Sequence, residues 1–280
     1  MKTLKPLNYA PILVAGLMLL VSACSAIPSV EKRRLSAKIL AEEKAWQGVV
    51  IPAKPFLLQA FYPKVIIPST TLTVYIEGDG LAWLNRTTPS MNPTPRSFLT
   101  LRLALQQPVG NVAYLARPCQ FITTSICEPH YWTSRRFSQE VIDATNHALD
   151  FLQATFNAQQ LQLVGYSGGG AVAALVAVNR DDVALLLTVA GNLDTEAWTT
   201  LQGISPLKGS LNPADKTNQL QAIKQIHFSG QMDKVVPVAI AQSFAKKSLL
   251  SSDLTLRTFE SYNHSCCWVD NWVDIWNDSL

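Results

Sequence analysis

The chain has 280 residues, 48% of them hydrophobic, with 23 basic against 20 acidic side chains and a formal net charge of +3. That length and apolar content suffice for one substantial core, which points to a single α/β domain and excludes a disordered chain. Lys2 and Lys5 supply much of the excess charge, so the remainder is close to neutral, and no basic stripe of the kind a nucleic-acid partner requires is present.

Lys2 and Lys5 precede the apolar run Pro11–Val21, which leads into Ser22, Ala23 and Cys24, the layout of a signal peptide. The run is shorter than the roughly 20 residues that span a bilayer. Ser22-Ala23-Cys24 resembles the lipobox of bacterial lipoproteins, a likeness confined to residues 1–25. It implies that Cys24 takes a diacylglyceryl group and becomes the first residue of a membrane-tethered protein. Each buried CH₂ of such an anchor contributes about 0.8 kcal/mol, and the globular part then lies in an aqueous oxidising space. In those lipoproteins a serine after the cysteine, here Ser25, goes with the outer membrane, so the expected location is the bacterial envelope, facing the periplasm. The expected division is a signal peptide over 1–23, a lipidated N-terminus and spacer over 24–50, and a globular domain over 51–280. Within the spacer, Leu35, Ile39 and Trp46 stand at helical spacing among mixed charges, which predicts a helix over 31–46 resting on the domain surface.

From Phe56 onward, strand-like runs alternate with helical patterns, the signature of a mostly parallel sheet with helices on both faces. Strands are expected at Phe56–Phe61, Leu72–Ile76, Asn111–Leu115, Leu161–Val164, Val183–Val189, Lys224–Phe228 and Leu254–Phe259. Helices are expected at Ser138–Phe156, Gly169–Val178, Pro237–Leu249 and Cys266–Trp276. Proline and glycine gather at Pro89–Pro95, Arg117–Pro129 and Gly203–Pro213. Loops of that length are candidates for function. In open α/β sheets ligands bind beyond the carboxyl ends of strands, so the residues just after each strand are where chemistry is sought.

Gly165-Tyr166-Ser167-Gly168-Gly169 is a G-x-S-x-G string that follows a strand pattern and opens a small-residue helix, the context in which such a serine is a nucleophile. The sharp turn strains the backbone, the glycines leave room for neighbouring chain, and the helix N-terminus favours nearby negative charge. The competing readings are an ordinary serine in a glycine-rich turn and a phosphate-cradling loop, the latter lacking the lysine of G-x-x-x-x-G-K-[ST].

A serine hydroxyl needs a base to take its proton. Of four histidines, His147 falls in a helical run and His227 inside a strand, whereas His130 and His264 lie in loops; His264, after the last strand, is the candidate base. The base in turn needs a carboxylate to orient it. Asp233 follows the strand ending at Phe228 and is that candidate, with Asp194 in reserve and Asp270 behind it.

The order Ser167, Asp233, His264, each after a successive part of the sheet, resembles the α/β-hydrolase superfamily from about Phe56 to the C-terminus. The resemblance implies a serine hydrolase acting on a small-molecule or lipid-like acyl ester or thioester, without a cofactor or metal. It also implies an oxyanion hole from the Gly168 N–H and a second N–H in the loop after an early strand. Here that loop reads Tyr75-Ile-Glu-Gly-Asp-Gly-Leu81, with Asp79 the candidate donor and Gly80 the alternative. Glu77 stands where the family often has histidine, and two carboxylates beside an oxyanion would repel it unless they are paired or turned away.

Cys119 and Cys127 bracket a loop after a strand, and a disulfide between them would pin Arg117–Pro129 over the site. Cys266 and Cys267 could bond to each other, stay free or cross-pair. Zinc held by His264, Cys266 and Cys267 lacks the usual ligand spacing, and no C-x-x-C supports redox catalysis. Residues Asn192–Leu220, with Trp198, Leu201, Ile204 and Leu207, are expected to cap a pocket or form a covered loop. The rival from another class is a non-catalytic envelope-binding protein on the same scaffold.

Overall fold

The computed structural model describes residues 27–248 and 253–279. The expected signal peptide and Cys24 lie outside the described residues. An eight-stranded sheet organises the molecule, with β1 at Trp46–Ala53, β2 at Phe56–Pro63, β3 at Thr71–Ile76, β4 at Asn111–Leu115, β5 at Gln160–Tyr166, β6 at Val183–Val189, β7 at Lys224–Gly230 and β8 at Leu254–Phe259. The spatial order is β1-β2-β4-β3-β5-β6-β7-β8. β1 and β2 form an antiparallel hairpin, β2 is antiparallel to β4, and every other pairing is parallel.

Among the described residues seven α-helices flank the sheet: α1 (Val30–Glu42), α2 (Leu99–Gln106), α3 (Gln139–Phe156), α4 (Gly168–Ala177), α5 (Thr195–Gln202), α6 (Val238–Lys247) and α7 (Trp272–Asn277). α3 forms because Val141, Ile142, Thr145, Ala148, Leu149, Leu152 and Phe156 recur at helical spacing and bury one face. That face joins α4, Val74 and Leu163 in one hydrophobic layer. The opposite layer gathers Tyr75, Val164, Phe228, α2 and the tryptophans of α7. Alternation along β3 and β5 thus divides neighbouring residues between two cores. Trp272 shows how the second core is fixed, since its ring packs edge-on against Tyr75 and Phe228 and its Nε1–H donates to the Tyr75 hydroxyl at 2.9 Å. Truncating such a residue to alanine costs about 3–5 kcal/mol.

The N-terminal region departs from expectation. α1 ends at Glu42, and it faces the domain with Arg33, Ala37 and Ala41, while Leu35 and Ile39 are exposed at 56% and 45%. Trp46 is not a helix residue; it opens β1 and is buried. The sheet therefore begins inside the stretch read as a spacer. Hydrophobic spacing misled here because the small alanines, not the large aliphatics, make the close contact. α2 and α5 were not foreseen as helices, and α7 starts at Trp272 rather than Cys266.

Candidate active site

β5 delivers Ser167 to the carboxyl edge of the sheet at φ 54° and ψ −122°, a strained left-handed conformation for a residue with a side chain. The turn is possible because the chain after it carries no Cβ. A side chain at Gly169 would collide with the carbonyls of Ile76 and Glu77 at the end of β3. The strain lifts the Ser167 side chain clear of the sheet while α4 starts directly beneath it.

His264 reaches this point from the loop after β8, and its Nε2 lies 3.0 Å from Ser167 Oγ. Its Nδ1 lies 2.7 Å from Asp233 Oδ2 in the loop after β7. Asp233 is 4% exposed, and its other oxygen accepts the N–H groups of Val235 and Val236 at 2.8 and 2.9 Å. A carboxylate so held sets the tautomer of the imidazole, with Nδ1–H donating to Asp233 and Nε2 free to accept the serine proton. Tyr166 adds a support absent from the sequence reading. Its hydroxyl donates to the His264 carbonyl at 3.1 Å, and burial, with Glu77 and Asp233 nearby, pushes its pKa well up, keeping it a donor.

The other histidines and the two alternative acids, Asp194 and Asp270, stand apart from this line. Asp194 caps α5 through the Ala197 N–H and binds Ser243 and Lys247 at 2.7 and 3.0 Å. Burial raises its pKa, but those hydrogen bonds outweigh this and hold the carboxyl below its usual range. His227 is buried in β7 against Thr188 at 2.9 Å, and desolvation pulls its pKa down to about 3. His130 pairs with Glu128, whereas His147 and Asp270 are exposed on the surface.

The loop after β3 crosses in front of Ser167. Among the described residues, the N–H groups of Asp79, Gly80 and Gly168 donate to no acceptor of the chain, so donors from both loops are unspent beside the serine. Glu77 turns inward: its oxygens accept the Gly78 N–H at 2.8 Å, Thr100 Oγ1 at 2.6 Å and Tyr114 OH at 2.9 Å. Burial raises its pKa against the pull of those bonds. The Asp79 carboxylate lies over Gly168, where a Cβ would collide with it, and is gripped by Arg117 and Arg136. Both arginine side chains are 5% exposed. Burial pulls the Arg117 pKa down to about 10, while Asp79 counteracts the fall, so it stays charged at neutral pH. The two carboxylates that would repel an oxyanion are thus one buried away and one cancelled by two cations.

Arg117 and Arg136 were missed by sequence reasoning. Arg117 stands two residues past β4, a position where function could be sought, but nothing in sequence marks Arg136. Cys119 and Cys127 form a disulfide that closes the loop beginning at Arg117. Gln120 within it donates to the Gly78 carbonyl at 2.9 Å, fastening that loop to the one bearing Asp79. Cys266 and Cys267 are bonded to each other just after His264. On the far side, the Trp198 indole of α5 donates to the Val235 carbonyl at 2.7 Å and lies under the Arg136 guanidinium at 5.8 Å. Residues 192–220 therefore border the site, bonding to the loop after β7 and packing under one of the arginines that hold Asp79.

Among solved structures, an esterase of Pyrococcus furiosus superposes with a TM-score of 0.61 over 85% of this chain and 91% of its own at 11% identity. An alpha-beta serine hydrolase homologue from Coxiella burnetii gives 0.55 over 82% and 93% at 16% identity. The fold is that of the α/β-hydrolases. Est1E from Butyrivibrio proteoclasticus, in a structure with ferulic acid bound, gives 0.61 over 82% and 98% at 14% identity. No family model and no curated protein sequence matches the chain. Ser167, Asp233 and His264 stand beyond β5, β7 and β8.

Proposed function

We propose that the protein is a serine hydrolase that cleaves acyl esters or thioesters and is anchored to the bacterial envelope through Cys24. Ser167 Oγ attacks the acyl carbon as His264 Nε2 takes its proton, and Asp233 stabilises the imidazolium that forms. The N–H groups of Gly168 and Asp79 receive the oxyanion, a contribution of about 3–4 kcal/mol per donor. His264 then returns the proton to the leaving oxygen or sulfur, and water, activated by the same imidazole, releases the acid from the acyl-enzyme.

The observation that carries this reading is the line from Ser167 through His264 to Asp233, at 3.0 and 2.7 Å. A strained serine, a base and a buried acid in register serve no evident packing purpose. The esterase and hydrolase structures that share the fold support the ester-cleaving class. The test is turnover of a panel of p-nitrophenyl esters and acyl thioesters by the wild type and Ser167→Ala. Loss of about 10³-fold or more in kcat is expected, in the range seen when triad members are removed. Wild-type rates no higher than those of Ser167→Ala across the panel, with a membrane partner retained by both, would instead make it a binding protein.

A further inference from the structure

The loop between β3 and α2 does more than present Asp79. After Gly80 it folds into a short hairpin in which Leu84 N–H donates to the Thr88 carbonyl and Ser90 N–H to the Ala82 carbonyl, at 2.9 and 3.0 Å. The tip carries Trp83 and Leu84, exposed at 39% and 48%, and Met91 just beyond is 86% exposed. Between Gly80 and Phe98 the chain has two charges, Arg86 and Arg96, both exposed and both positive. An indole, two aliphatic side chains and cations without an ion-pair partner among the described residues make a surface that suits the boundary between headgroups and acyl chains of an anionic bilayer.

The N-terminus reaches the same place. Arg33, in the first turn of α1, donates to the Thr94 carbonyl, and Pro93 lies against Gly80 beside the serine. Lys32 and Arg34 flank it. Arg33, nine residues after Cys24 in the sequence, thus ties the start of α1 to the segment that follows the hairpin. The opposite end also exposes Val65, Ile67 and Val109, but there acids stand among the cations, with Asp150 and Asp182 paired to Arg180, whereas the hairpin segment carries cations alone.

We infer that the hairpin around Trp83 and Leu84 seats on the lipid bilayer that holds the anchor, so that Ser167 opens toward the membrane and takes acyl substrates from it. This rests on the envelope-anchored reading above. The other six tryptophans are buried or, for Trp198, partly covered by the chain, so Trp83 is a built-in reporter. The experiment reconstitutes the full chain into vesicles of phosphatidylcholine and phosphatidylglycerol whose acyl chains carry bromine, and measures tryptophan fluorescence against unbrominated vesicles. The expected result is quenching in the wild type that is lost in Trp83→Phe, with soluble-ester turnover unchanged as a check on folding, and weaker quenching in Arg86→Glu. Protein that floats with the vesicles but shows no quenching, or equal quenching in Trp83→Phe, overturns the seating and leaves the anchor standing. Protein that fails to float at all overturns the anchor, and the seating with it.

Discussion

Two acid-bearing loops meet at Ser167, and they treat negative charge in opposite ways. Beyond β7, Asp233 directs its carboxylate at His264, with two backbone N–H groups completing its hydrogen bonds. Beyond β3, Asp79 has its charge cancelled by Arg117 and Arg136, and Glu77 is buried among Thr100 and Tyr114. In the mechanism proposed above, one loop needs an anion to favour an imidazolium and the other must leave room for an oxyanion. Residue type alone does not assign a role to a carboxylate beside a nucleophile: its partners do.

The comparison is broken most severely on the Asp233 side. Asp233→Asn preserves shape but lets the amide donate to Nδ1, turning the wrong tautomer toward Ser167. A fall of about 10⁴-fold in kcat is expected, read from ester hydrolysis under saturating substrate. On the Asp79 side a smaller loss is expected. Arg136→Gln leaves Asp79 short of a countercharge beside the developing oxyanion, and kcat should fall about 10- to 100-fold with KM little changed, below the loss for removing an oxyanion donor outright. Adding Asp79→Asn to Arg136→Gln removes the uncompensated charge and should recover part of the loss. A double-mutant cycle with no coupling between the two positions would show that the ion pair acts only in folding.

The smallest effect is expected from Glu77. Its pKa is raised in the folded chain by burial, so the folded state holds the proton more tightly than the unfolded one, whose carboxyl titrates near 4.3. The associated stability is present below that value and declines as pH rises through the folded pKa. Urea unfolding should show a decline in stability over that interval that is flatter in Glu77→Gln, with little change in activity at neutral pH. An unchanged profile would mean that Glu77 is ionised in its pocket without cost.

Much of this was legible in the chain itself. The strand before Ser167, the small-residue helix after it and the loops holding Asp233 and His264 are local patterns, so their order along the sequence sufficed to propose the fold and the three residues. The loop from Glu77 to Gly80 was legible only as a conflict. Its resolution depends on Arg117 and Arg136, brought in from 38 and 57 residues away. Long-range ion pairs leave no periodic trace. The helix expected over 31–46 is present as α1, but its buried face was misjudged for a related reason, since Ala37 and Ala41 pack where larger side chains were expected to, and only the tertiary contact reveals it.

The most direct measurement is the intact mass and peptide map of the protein after a fluorophosphonate reagent. The account predicts a single adduct on the peptide containing Ser167, formed far more slowly in His264→Ala and absent from Ser167→Ala. An adduct on another residue, or none on correctly folded wild-type protein, would contradict it.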